Sequence, residues 1–351
     1  MSPAANDRTL LRCPACLGGL ADGGDGALAC AACGRVYPSL GRYHDLFVED
    51  RAPTAYPPDL EHLSYPRERL LRLEPPRATA WDRLFGRAAF NADWERDLER
   101  LRRTVLRAGR CERGRAEFMK DDETSPDYEH QRREVRVKAR KIMRRVRPRS
   151  SGGLVLHVGC GGRCNDGIPI EYAGAGFVNH GVDAVRSYVE EFLDHGHAQL
   201  ANALALPYPD AGFEVVNYTD ILEHLFDPLG GLREAARVLK PGGLLMLDTP
   251  NRAYLDRSSA RSHLEYFLGR LWPSTRRRRL ITASWDGETF FHTEFDRREL
   301  LRLLAEAGFT VFSMENETFD PAELERPAPR PGLLRRLTPT SSWFALCGKN
   351  A

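Results

Sequence analysis

Apolar positions follow three different rhythms along this chain. Between residues 80 and 107, Trp81, Leu84, Phe85, Phe90, Trp94, Leu98, Leu101 and Leu106 recur at three- and four-residue spacing, which predicts helix. From Tyr128 to Val146 the positions Val135, Ala139, Ile142, Met143 and Val146 share one face, and most of the ten Lys and Arg between Arg132 and Arg149 fall on the others. That pattern reads as a helix with a solvated basic face, with contact to a polyanion as the sharper alternative. Beyond residue 153 the rhythm changes to short buried runs near 154–158, 178–183, 197–201, 214–218, 243–248, 309–314 and 342–347, which predict strands. Between the first two rhythms, residues 53–76 are rich in proline and charge and read as a linker with one short helix, and 109–126 reads as a polar loop.

Composition narrows the class. The 351 residues are 42% hydrophobic and 28% charged, with 51 Lys and Arg against 49 Asp and Glu, which fits a globular protein and excludes collagen, coiled coil and wholesale disorder. A net charge of +2 leaves nucleic-acid binding to local patches such as Arg276–Arg279. Only five of the basic residues are lysines, at 120, 138, 141, 240 and 349. No apolar run reaches the length of a membrane span and residues 1–10 lack a secretory pattern, so a cytoplasmic location with no membrane partner is expected.

Four of the eight cysteines form two pairs, Cys13 and Cys16, then Cys30 and Cys33, in the spacing C-x2-C, thirteen residues, C-x2-C. Two intervening residues let both thiolates of a tight turn face one ion, and four thiolates close a tetrahedral shell around zinc, so a structural zinc site is expected. A segment this short, with few large apolar side chains, needs such a metal to fold. With the zinc shell filled by sulfur, His44 is expected at the surface. The segment LRCPACLGGL followed by CAACGRVYP and GRYHDLF resembles the short zinc domain that activates or accompanies many methyltransferases.

The run LVLHVGCGGRC (154–164) is a buried strand entering a glycine turn, in which Gly159 and Gly161 let the backbone approach a ligand closely. A dinucleotide fingerprint would need glycine at 164, where this chain has Cys. Asp183, twenty-four residues after Gly159, ends FVNHGVD where a second strand would present a carboxylate to two ribose hydroxyls.

Residues 201–250, with LPYPD (206–210), Phe213, EHL (223–225) and RVLKPGG (237–243), resemble the small-molecule class I S-adenosylmethionine-dependent methyltransferases, and HTEFDRRELLRLLAEAGF (292–309) resembles a segment near that family's end. The resemblance implies an α/β, doubly wound, Rossmann-like fold with a mostly parallel seven-stranded sheet. It assigns the donor to His157, Gly159, Gly161, Asp183, Asn202, Ala203 and Leu204, with the glycines at the amino-acid end, Asp183 on the ribose and residues 202–204 at the adenine. His157 stands where the family usually has Asp, Arg163 where a third glycine often lies, and Asn202 where an adenine-side Asp is usual.

Methyl transfer from a sulfonium needs near-attack positioning and, for some acceptors, proton removal. His224 and His292 are the candidate bases because imidazole titrates near neutral pH, with Tyr218 as a positioning group. Asp220, Glu223 and His224 would share one face of a helix and there offer a site for Mg2+, with helix capping or core hydrogen bonding as the alternative. Tyr254, Tyr266, Trp272, Trp285, Phe290 and Phe291 would line an acceptor pocket or pack a cap. The expected organisation is a zinc ribbon over 1–50, a linker and helical cap segment over 51–127, and a methyltransferase domain over 128–351 with an insertion at 252–291. The expected reaction is methylation of O or N of a small molecule, with secondary metabolism as the expected setting. An RNA methyltransferase is the rival enzyme, and a methyltransferase-fold protein that uses the donor otherwise, or a noncatalytic partner, is the rival from another class.

Overall fold

The computed structural model describes residues 8–48, 54–72, 98–100, 126–251, 282–285, 288–325 and 342–350. The expected helix over 80–107 apart from residues 98–100, nearly all of the 109–126 loop, Arg276–Arg279, and Tyr254, Tyr266 and Trp272 lie outside the described residues.

Seven runs become one mixed sheet: β4 (Gly153–Val158), β5 (Phe177–Asp183), β6 (His197–Leu200), β7 (Phe213–Thr219), β8 (Leu239–Pro250), β11 (Phe309–Glu317) and β12 (Ser342–Lys349), while β9 (Thr282–Trp285) and β10 (Glu288–Phe291) pair with each other. Their order is β11-β12-β8-β7-β4-β5-β6, with β4 to β8 paired in parallel and β12 antiparallel to both of its neighbours. Two-residue alternation sends Val155 to one face and Leu156 and Val158 to the other. The first face is covered by Ala139, Ile142, Met143 and Val146 of the helix Pro126–Val146 and by Ile168 and Tyr172 of the helix Gly167–Ala173. The second is covered by Leu229, Leu232, Ala235 and Val238 of Pro228–Val238 and by Leu300, Leu303 and Leu304 of Arg297–Glu306. Both helices begin as their sequences dictate. Asp227 caps one by accepting from Gly230 N–H, and Asp296 with Glu299 forms a reciprocal capping box on the other.

The basic helix departs from the expected solvated face. Its arginines at 136, 140 and 144 are exposed, but Lys138 and Lys141 are buried, the second bound to Glu317, Glu323 and the carbonyl of Thr318. A one-dimensional count of charge cannot separate a long side chain that turns inward to a carboxylate from one left in water.

At the other end, β1 (Leu20–Asp22), β2 (Leu28–Cys30) and β3 (Val36–Tyr37) form a small antiparallel sheet. Leu11, Cys13, Leu28, Cys30, Tyr37, Leu46 and Val48 join the same core as Leu206 and Tyr208 of the large sheet's domain. The chain leaving this module runs beside β6. His44 C=O accepts from Leu200 N–H, Leu46 N–H donates to Leu200 C=O at 2.8 Å, and Asp45 bridges Leu200 in parallel. His44 is therefore buried rather than at the surface: its main-chain N–H donates to Gln199 Oε1 and its ring contacts the carbonyl of Gly26. The linker helix is short, Arg67–Arg72, and Tyr56 before it donates its hydroxyl to Asp227.

Candidate active site

The strand order reverses around β4, whose successors β5 and β6 lie on one side and β7 and β8 on the other. Such a reversal leaves a crevice at the carboxyl ends of the strands. A cavity of about 200 Å³ opens there, lined from the ends of β4, β5 and β7 and by residues 201–203.

The turn after β4 is built for close approach. Gly159 and Gly161 sit at φ of 66° and 67°, where a side chain is strained. A Cβ on Gly159 would come within 2.8 Å of Ile221, and one on Gly161 within 2.2 Å of Asn165. Asp183 at the end of β5 is buried against this turn. Its Oδ2 accepts from Gly161 N–H at 3.0 Å and its Oδ1 from Val185 N–H at 2.8 Å, so the acid and the turn form one rigid rim of the cavity. On the opposite rim Asn202 accepts from Leu204 N–H at 3.0 Å and donates to Val48 C=O at 3.0 Å. Asn202 and Ala203 line the cavity, whereas Leu204 lies beyond it toward Gly231.

His157 lines the cavity from a buried position, edge-on to Tyr172. Asn179 donates its amide to the carbonyls of Pro169 and His195, which turns its oxygen toward His157 Nε2 at 3.0 Å, so that nitrogen carries the ring proton. Burial pushes the imidazole down to about 4, against the pull of Asn179, leaving it neutral where the resembled family has a carboxylate.

The expected helical face over 220–224 does not form. Asp220 adopts φ of 51° and residues 222–224 make a single 3-10 turn, because the chain must reverse at the end of β7. Asp220 and His224 reach the cavity, while Glu223 is buried away from it and accepts from the hydroxyl of Thr249 at 3.0 Å. The triad expected to hold Mg2+ is therefore not brought together. Among the described residues the only group of three or more His, Cys, Asp or Glu gathered closely enough for a metal is Cys13, Cys16, Cys30 and Cys33, whose sulfurs lie within 4.8 Å of one another.

Two other assignments also change. Tyr218 is the expected positioning group, but its neighbours Asn217 and Thr219 line the cavity and strand alternation sends Tyr218 to the opposite face, fully buried against Gly231. His292 packs its ring on His224 at 5.4 Å, outside the cavity lining. His224 Nδ1 lies 3.1 Å from the carbonyl of Phe291, an acceptor, so Nδ1 bears the proton and Nε2 keeps its lone pair. Phe291 is core, packed on Tyr65 and Phe226.

Two residues beside the cavity were missed. Lys138 places its ammonium 2.5 Å from both Asp220 and Asp248, the latter fully buried near the end of β8. Burial pushes Asp248 up to about 7 against the pull of Lys138, with Asp220 adding to the rise. Desolvation by the cavity wall around Asp220 would raise it too, but Lys138 outweighs this and holds that carboxyl below its ordinary value. Burial and the charges of Asp220 and Asp248 push Glu223 well above the carboxylate range. The signals were available: lysine is scarce in this chain, and Asp248 interrupts the apolar run LLMLDTP.

A family model described as a methyltransferase domain matches residues 128–314, more than half of the chain. A Mycobacterium tuberculosis protein named as a probable S-adenosylmethionine-dependent methyltransferase is 33% identical over 175 residues, covering 49% of this chain and 54% of that protein. A ubiquinone biosynthesis O-methyltransferase of Caulobacter vibrioides is 32% identical over 133 residues, covering 35% and 51%. The chain thus spans about half the length of these curated relatives. An S-adenosylmethionine-dependent methyltransferase of known structure from Mesorhizobium loti superposes with a TM-score of 0.42 at 18% identity, covering 60% of this chain and 96% of that one.

Proposed function

The chain belongs to a family of methyltransferase domains, and from that premise we propose that it moves a methyl group from S-adenosylmethionine to an oxygen or nitrogen of a small molecule. The observation that carries this reading is the rigid rim made by Asp183 and the Gly159–Gly161 turn. The rim offers two carboxylate oxygens beside backbone that only glycine allows so close, a cradle fitted to a nucleoside with a polar tail. The donor supplies an electrophilic methyl on a sulfonium. Asp183 would hold the ribose, the glycine turn the amino-acid end, and residues 202–203 the adenine.

The remaining work falls to the protein's own groups. His224 presents Nε2 as a proton acceptor because Phe291 fixes the other nitrogen, so it would take the proton of an attacking hydroxyl or amine. Asp220 beside it favours the imidazolium that results. His157 is a neutral member of the wall rather than a counter-charge to the donor. The ubiquinone biosynthesis O-methyltransferase among the relatives supports a hydroxyl acceptor of small-molecule size.

The amino-terminal module would hold structural zinc. Four sulfurs at 2.3 Å from a central ion stand about 3.8 Å apart, and here Cys13 and Cys33 are 3.6 Å apart and Cys16 and Cys30 3.5 Å. Calorimetry tests the donor assignment: binding of S-adenosylmethionine or of its demethylated product is expected, and absence of both at millimolar ligand would remove the proposal.

A further inference from the structure

The carboxylates beside the cavity are arranged around a cation that belongs to the chain itself. We propose that Lys138 is a positioning residue whose ammonium takes, between Asp220 and Asp248, the place a divalent ion fills in carboxylate sites, and so fixes Asp220 in the cavity wall.

Five observations carry this. Lys138 Nζ lies 2.5 Å from one oxygen of each aspartate, so both carboxylates face a single ammonium. The lysine reaches them from the helix Pro126–Val146, an element outside the sheet, and its side chain is 8% exposed, so water does not compete for the ammonium. Asp248 is 1% exposed, whereas the side chain of Asp220 keeps 48% of its surface and lines the cavity, so the pair passes from the core to the ligand space through one residue. Asp220 sits in the left-handed region, a conformation that costs energy in a non-glycine residue and persists where surrounding contacts impose it. The main-chain N–H of Asp220 also donates to Asp248 C=O at 3.1 Å, which ties both residues of the pair together a second time.

The residue type fits the task. The chain uses arginine for nearly all its positive charge, yet this buried position holds lysine, whose compact ammonium fits between two single oxygens where a planar guanidinium would demand a bidentate partner. Two carboxylates with water suffice for a small divalent cation. With the ammonium removed, the same two oxygens would face each other across at most about 5 Å, twice the observed pair distance, open to such an ion.

The inference rests on the methyltransferase reading only for what the cavity holds, and its test does not use the donor. Full-length, zinc-loaded protein is titrated with Mn2+ and followed by electron paramagnetic resonance. Wild type is expected to show no Mn2+ site that depends on Asp220. Lys138→Ala is expected to gain one, and the double variant Lys138→Ala with Asp220→Asn to lose it again. Lys138→Met, which keeps the methylene packing, serves as the second variant should the alanine protein not fold. Mn2+ binding by wild type that Asp220→Asn abolishes would overturn the proposal, as would a folded Lys138 variant that gains no site. Failure to bind S-adenosylmethionine would instead count against the donor assignment and leave the Mn2+ result standing.

Discussion

The side-chain amide of Asn202 donates to the main-chain carbonyl of Val48 while its oxygen accepts from Leu204 N–H, so one residue joins the amino-terminal module to the cavity rim. Only an amide does both. The aspartate common in the resembled family could accept from Leu204 but would set a carboxylate against the buried Val48 carbonyl. Asn202→Asp is therefore expected to destabilise the protein by about 1–3 kcal/mol, read as a lowered denaturation midpoint. An unchanged midpoint would mean that the bond contributes nothing net.

Asp183 serves the fold and the proposed ligand at once, since it holds the Gly161 turn before any donor arrives. Asp183→Ala is expected to weaken S-adenosylmethionine binding at least about tenfold, roughly 1.4 kcal/mol, by isothermal titration. Asp183→Asn should fall between, because it keeps one acceptor oxygen. Equal affinity in all three proteins would remove Asp183 from the ribose role.

His157 predicts how stability responds to acid. Its folded value is about 4 against 6.5 when unfolded, so between these values the unfolded chain binds a proton that the native one refuses. Stability from this residue is full above pH 6.5 and declines as pH falls toward 4, by an amount of order 3 kcal/mol. Urea titrations at pH 7.5 and 4.5 should show a smaller loss for His157→Gln than for wild type. Parallel losses would place the acid sensitivity elsewhere.

Removal of the proposed zinc should reach past the amino-terminal module. Because Cys13, Cys30 and Tyr37 share a core with the large sheet, a chelator is expected to lower the melting temperature of the whole protein and not merely to loosen a separate module. Metal analysis of protein purified without chelator should find one zinc per chain, reduced in Cys16→Ser and Cys33→Ser. A metal-free protein with an unchanged melting temperature would contradict this.

The sheet and the meeting of Asp183 with the glycine turn were legible because each rests on local physics. A five-residue apolar run bounded by glycine has few other solutions than a buried strand, and Gly159, Gly161 and Asp183 stand at the spacing one strand–turn–helix–strand unit imposes. The other side of the cavity was not legible, since it depends on where distant segments meet. Lys138 lies 82 residues from Asp220 and 110 from Asp248, and no periodicity ties such positions together. Reading Asp220, Glu223 and His224 as one helical face failed because the chain turns sharply there, and a single non-glycine residue at positive φ breaks the angular bookkeeping on which the face was counted. Tyr218 shows the reverse case: strand alternation was sufficient to exclude it once Asn217 and Thr219 were known to face the ligand space.

The segment 44–46 running along β6 has a consequence for solubility. A border strand exposes unsatisfied N–H and C=O groups that invite another molecule to continue the sheet, and here Leu200 has both of its groups taken by the chain's own leading portion. Severing that portion would unmask a sticky margin, so a truncated protein beginning after residue 50 should self-associate where the intact chain stays dispersed.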